Sequence, residues 1–303
     1  MLETEIGAFH LAGIIPLNSQ PMDFQFPWHD CLQPIAPNFL AIERAVLECA
    51  TAGCNTIWIA CPYGIQPLLR QRLGDTVQDP VWFSRAKYSR KPDTIKREIP
   101  IYYIPVHPKD QDKKDSIVWS ILYGCLSLVK VCSKMSHWLV PNKYYVCFPN
   151  TVFPSQFVRK YREDIVKKRR FLISFNNKTM LDGELLSGTI NNQDIKFLMK
   201  EFRNQATGLW DPNSPKRDGI YPTEKLSLDN RYSGRFLTIK DVFSKLLTEE
   251  DTKVMTVDWH YPIDSWDHLC LYLGSAERYE MKRPVRPLLK YKELKGIANE
   301  SKQ

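Results

Sequence analysis

The sequence predicts an α/β fold: a mainly parallel central sheet flanked by helices. Two observations carry that expectation. Leu11 to Cys61 runs strand, loop, helix, strand, a crossover long enough to make its two strands parallel and right-handed. Beyond it, short apolar runs keep alternating with helical stretches through the 303 residues, the pattern of layered α/β domains.

Composition sets the frame. The chain is 43% hydrophobic and 25% charged, ordinary for a globular protein, and long enough to bury a sizeable core. A formal charge of +8 and a pI near 9.0 favour anionic partners, or simply a solvated basic surface. The eight cysteines include no CxxC pair and no compact Cys/His cluster, which argues against structural zinc and for a reduced, cytoplasmic setting. The start, Met1-Leu-Glu-Thr-Glu-Ile6, lacks the basic and apolar parts of a signal peptide. No apolar run is read as reaching the roughly 18 residues that span a bilayer, so no membrane partner is expected.

The elements follow in order. Leu11–Leu17 is a buried strand, apolar on both faces. Asn18 to Asp30 is a loop rich in proline and aromatics, which packs over the domain or a ligand. Phe39–Ala52 has helical apolar spacing and ends at Gly53, a good C-cap. Thr56–Cys61 is the next strand, Ile65–Leu73 a short helix, and Ile99–Val106 a third strand. Asp79 to Glu98 mixes basic residues with aromatics and reads as a surface excursion. Ser116 caps a helix over 116–135. Lys143–Phe148 is a fourth strand, and Pro154–Phe171 a strongly basic helix. Arg170–Phe175 forms a strand entering an Asn176-Asn177 turn. Asp194–Asn204 is helical, and Gly208–Asp229 irregular. Leu237–Leu247 is a helix capped at Thr238, Lys253–Trp259 a strand, and Trp266–Leu273 a helix. Residues 1–282 thus form one domain with an α+β insertion at about 171–232, and 283–303 a basic tail.

Three blocks resemble the sugar-phosphate nucleotidylyltransferases, a family with the Rossmann-like GT-A nucleotide-diphospho-sugar transferase fold. The first is Ala12-Gly-Ile-Ile-Pro-Leu17, a loop, Pro27-Trp-His-Asp-Cys-Leu-Gln-Pro-Ile35, helix 39–52 and Ile57-Trp-Ile-Ala60. The second is Tyr144-Tyr-Val-Cys-Phe-Pro-Asn-Thr-Val-Phe153. The third is Ile239–Leu247, Val254–Trp259 and Tyr261-Pro-Ile-Asp-Ser-Trp-Asp-His-Leu269. The resemblance implies nucleotide contacts at Pro16, Leu17, Asn18, Gln33 and Ser116. It implies a catalytic position at Asp30, and metal positions at Asn150 and, two residues off the aligned Pro262, at Asp264. His260 and Asp264 are further catalytic candidates, with His29, Asp258 and Asp267 behind them.

The departures matter more than the match. The family's loop is glycine-rich so that bare backbone can approach phosphates, and Asn18–Phe26 holds no glycine. Asp30 stands where the family has a lysine that offsets phosphate charge. Asn150 replaces one metal aspartate and Pro262 the other, which weakens the case for Mg²⁺. The expectation is therefore a nucleotidyltransferase-like protein that lost its phosphate and metal groups and serves as a binding, regulatory or structural subunit. One alternative is an active nucleotidyltransferase or glycosyltransferase with a rebuilt, Mg²⁺-dependent site for an NTP, nucleotide sugar or sugar phosphate. Another is a nucleic-acid-associated protein, gripping an anionic partner through segments 85–97 and 159–170. The simpler reading of His260, Asp264 and Ser265 is a turn and a helix cap.

Overall fold

β1 (Leu11–Pro16) sends alternate side chains to opposite faces of its sheet: Leu11 and Ile15 join one hydrophobic cluster, Ala12 and Ile14 another. The computed structural model describes residues 9–18, 22–80, 98–108, 110, 114–246 and 251–283. Of the excursion expected over Asp79–Glu98, residues 81–97, with basic segment 85–97, lie outside the described residues, as does the tail beyond Arg283.

β1 pairs in parallel with β4 (Thr56–Pro62) on one side and β7 (Lys143–Val146) on the other. Beyond β4 lie β6 (Glu98–Val106), parallel to it, and the antiparallel edge strand β5 (Thr76–Gln78). Beyond β7 come β10 (Gly188–Asn191), antiparallel to its neighbours, then β9 (Arg170–Ser174) and β13 (Thr252–Thr256), a parallel pair. The order is β13-β9-β10-β7-β1-β4-β6-β5. The stretch expected as an insertion from 171 therefore gives two strands to the central sheet. The chain leaves it around 206–236, where β11 (Lys216–Arg217) and β12 (Tyr221–Pro222) form a small hairpin.

α1 (Ala41–Ala52), α2 (Gln66–Leu73) and α4 (Arg162–Lys167) cover one face. α3 (Ile117–Met135), α5 (Asn192–Gln205) and α6 (Ile239–Phe243) cover the other. A third cluster joins Phe26, Ile35 and Phe39 to Val152, Ile263, Leu269 and Tyr272. It lies beneath the β2 (Pro34–Ala36)–β3 (Phe39–Leu40) hairpin, the β8 (Thr151–Val152)–β14 (Tyr261–Pro262) pair and α7 (Trp266–Gly274).

The crossover forms for the reasons read from the residues. The Leu40 N–H donates to Glu43 Oε2 at 2.9 Å to open α1, and Gly53 at φ 97° closes it. α1 packs directly on β1: a Cβ at Gly13 would lie 2.9 Å from Cys49 Sγ. Ser116 caps α3 by accepting from Trp119 N, Thr238 caps α6, and Ser265 caps α7. Asn176 and Asn177 turn with positive φ, as expected of an asparagine pair.

Some elements differ from expectation. The basic helix over 154–171 is two pieces, 3-10 turns at Ser155–Tyr161 and then α4, before the chain turns extended at Lys168. Arg170 opens β9, paired in register with Thr252, and its buried guanidinium grips Asp194 at 2.6 Å. Its neighbours are also engaged: Arg162 donates to Ala50 O and Thr51 O at the end of α1, and Lys168 pairs with Asp251 at 3.0 Å. The strand expected to reach Trp259 stops at Thr256, and the helix expected to reach Leu247 is hydrogen-bonded only over 239–243. α3 corrects the reading of apolar runs. It is 19 residues long and apolar enough to cross a membrane, and half of its most apolar window is buried. It is apolar because Val118, Ile121, Leu122, Cys125 and Leu128 cover the sheet.

One buried cation locks β7 to α4. Lys143 Nζ donates to Ile165 O at 2.6 Å, to Val166 O at 3.2 Å and to Lys168 O. These carbonyls close the helix, where a cation suits the helix dipole. Burial lowers the Lys143 pKa to about 8.

Candidate functional site

In open α/β sheets, ligands bind in the crevice at the carboxyl ends of the strands. Here that crevice lies between the exits of β1 and β7. β1 leaves through Leu17, whose N–H donates to Ala60 O at 2.8 Å and whose carbonyl accepts from Ser120 Oγ of α3 at 2.8 Å. β7 leaves through Phe148, whose carbonyl accepts from Arg44 Nη2 at 2.5 Å. Arg44 also pairs with Glu48 at 2.6 Å, and Glu48 accepts from Tyr145 OH at 2.7 Å. Both charges are fully buried. Removing either partner would strand a charge in the core, so this network holds the turn that carries Asn150.

A 3-10 turn at Asp30–Leu32 crosses the crevice. Asp30 is only 2% exposed. Its Oδ2 accepts from Asn150 Nδ2 at 2.5 Å, and its Oδ1 accepts from Cys31 N at 2.8 Å and faces His29 Nδ1 at 2.7 Å. His29 Nε2 in turn lies 2.8 Å from Asn18 O. His29 Nδ1 faces the Asp30 carboxylate and also lies 3.3 Å from the Cys31 N–H, and with Nε2 at the Asn18 carbonyl the two oxygens suit an imidazolium, which carries two N–H donors. Burial works against that charge, but the hydrogen bonds to Asp30 and Cys31, with the Asp30 charge, prevail and push the His29 pKa up to about 11. The result is a continuous polar chain, Asn18–His29–Asp30–Asn150, tying the exit of β1 to the exit of β7.

The expected site residues divide accordingly. Pro16, Leu17 and Asn18 end β1 at the crevice. Gln33 is fully buried; its Oε1 accepts from Trp28 Nε1 at 3.2 Å and its Nε2 has no partner among the described residues. Ser116 spends its hydroxyl on the α3 cap, accepting from Trp119 N at 3.2 Å. Asp30 and Asn150 meet directly. Asp264 does not join them: Ile263 N donates to Asn150 O at 3.0 Å, yet the Asp264 carboxylate turns to His268 Nδ1 at 2.5 Å. His260 lies apart again, its Nε2 2.5 Å from Thr151 Oγ1 and its ring against Phe175, with burial lowering its pKa to about 4. It is a buried neutral imidazole rather than a simple turn residue. His268, Thr151 and Met22, which receives a second contact from Asn150 at 2.9 Å, carry no local signal that singles them out.

The donor set does not fit Mg²⁺. A magnesium site needs free oxygen ligands, carboxylates above all. Asp30 already faces three N–H donors, Asn150 presents its nitrogen to Asp30, and Pro262 has no ligand side chain. Among the described residues no group of three or more His, Cys, Asp or Glu could hold a metal ion.

The folded chain is similar to a solved structure assigned as a glucose-1-phosphate thymidylyltransferase from Bacillus anthracis, determined with sucrose. The TM-score is 0.52 at 10% identity, covering 90% of this chain and 97% of that one. A protein from Mycobacterium tuberculosis H37Rv aligns at TM-score 0.48 and 10% identity, over 88% of this chain and 100% of its own. No model of a protein family and no curated protein matches the sequence. The chain has a nucleotidyltransferase-like, Rossmann-type α/β fold.

Proposed function

We propose that this protein is a non-catalytic relative of the nucleotidyltransferases, acting as a binding, regulatory or structural subunit with its ancestral crevice closed by its own side chains. The contact of Asn150 Nδ2 with Asp30 Oδ2 at 2.5 Å carries the reading. It consumes the two positions where nucleotidyl transfer needs a cation and a metal ligand. Phosphoryl and nucleotidyl transfer proceed by placing cations around developing negative charge. A buried carboxylate here would repel a phosphate instead, and its counter-charge among the described residues, His29, is already spent on it.

Calorimetric titration with UTP, CTP, ATP and dTTP, each with and without Mg²⁺, tests the reading. No Mg²⁺-dependent binding and no pyrophosphate release with glucose 1-phosphate are expected. Mg²⁺-dependent nucleotide binding with turnover would overturn it.

A further inference from the structure

An apolar groove lies outside the crevice, between the β2–β3 hairpin and α2. Its volume is about 380 Å³, and its walls include Trp28, Leu32, Phe39, Leu40, Leu68 and Arg72. Trp28 is 46% exposed and Leu68 53%, a large apolar surface left uncovered by the described residues. The wall is stiff. The fully buried Glu43 carboxylate binds Arg72 Nε at 3.0 Å and accepts from Leu40 N at 2.9 Å. Arg72 also donates to Asn38 Oδ1 at 3.0 Å at the hairpin tip.

The same carboxylate fixes where the described chain ends. After α7 the chain runs back over the third cluster. Glu277 accepts from Tyr261 OH at 3.2 Å, Glu280 from Trp259 Nε1 at 3.1 Å, and Met281 packs on the cluster. Arg283 then binds Glu43 Oε1 at 3.3 Å. Arg283 and the groove residue Arg72 therefore share one buried anion, and the described chain ends at Arg283 beside the groove.

The sequence that follows is Pro284-Val-Arg-Pro-Leu-Leu289. Two prolines favour a polyproline II course, in which residues three apart share a face. Pro284 with Pro287, and Val285 with Leu288, would each form an apolar edge. Such segments bind aromatic-lined grooves with little loss of chain entropy. Six extended residues span about 20 Å at 3.3–3.6 Å each, ample for an adjacent groove.

We infer that residues 284–289 of this chain occupy the Trp28–Leu68 groove, with Arg283–Glu43 as the anchor. Trp28 is next to His29, so the seated segment braces the crevice turn from outside.

Two measurements on the full chain test this. A photo-reactive benzophenone residue in place of Leu68 is expected to cross-link to a peptide containing 284–289 within the same chain, at monomer mass. In separate protein, Val285→Asp with Leu288→Asp is expected to speed amide exchange at least tenfold at 28–33 and 66–72, leaving β1 unchanged. Cross-links that join two chains would overturn same-chain docking in favour of a second copy. Cross-links to other segments only, or unchanged exchange in the double variant, would overturn it outright.

Discussion

The chain holds two close His–Asp pairs, His29–Asp30 at 2.7 Å and Asp264–His268 at 2.5 Å. Distance does not separate them; surroundings do. His29 and Asp30 side chains are 12% and 3% exposed, and each residue uses its other polar atom on a further partner, His29 Nε2 on Asn18 O and Asp30 Oδ2 on Asn150. His268 and Asp264 are 45% and 31% exposed, with Asp264 just ahead of α7 and His268 in its first turn. A buried pair is worth most through what its removal leaves behind, whereas an exposed pair competes with water and salt. The first pair is therefore part of the fold's closure and the second a surface contact.

Breaking the buried pair should have the largest effect. Asp30→Ala strands the His29 imidazolium and unties Asn150. A loss of about 3–5 kcal/mol is expected from urea unfolding. If Asp264→Ala costs as much, the contrast between the pairs fails. Asn150→Ala keeps the pair but leaves one Asp30 oxygen without its donor. The expected cost is about 1–3 kcal/mol, read from the same unfolding curves.

Titration sharpens the contrast further. The folded-state pKa of His29 is raised, so its contribution is fully present below pH 6.5 and lost progressively as pH rises toward about 11. His260 is the opposite case. Its pKa falls from 6.5 to about 4, so its contribution is present above pH 6.5 and lost as pH falls toward 4. NMR of the ring carbons should find His29 charged and His260 neutral at pH 7. A neutral His29 at that pH would remove the imidazolium from the crevice. The smallest effect belongs to Asp264→Ala. A change below about 1 kcal/mol is expected, diminishing further in 0.5–1 M salt.

The scaffold was more legible in the residues than the closure. Leu11–Pro16, Thr56–Pro62 and Gly53 announce a parallel crossover because strand burial and helix capping are local properties. β5 and β10 leave no clear mark in the sequence because three or four residues carry too little pattern; antiparallel pairing to other strands forms them. The 3-10 turns after Pro154 were hidden by a run of charge that reads as helix, while the chain from Arg170 on pairs in register with β13. In the crevice, Asp30 and Asn150 stood out as residues of the wrong type for phosphate chemistry. Their mutual contact could not be read, because it joins positions 120 residues apart. For Asp264, its local partner His268, one turn along, took the carboxylate away from the crevice.

α3 poses a problem of timing. A 19-residue helix apolar enough for a bilayer leaves the ribosome as a stretch that chaperones or membrane insertion machinery would recognise. Its floor, however, is made of β1, β4 and β6, all of which precede it in the chain. By the time Ile117–Met135 emerges, the strands that cover it have been synthesised, and vectorial synthesis lets it dock at once. A circular permutant that starts at residue 114 and places β1, β4 and β6 last would emit α3 with no surface to cover it. Its yield of soluble protein should fall relative to the natural order, even though every contact in the finished fold is the same.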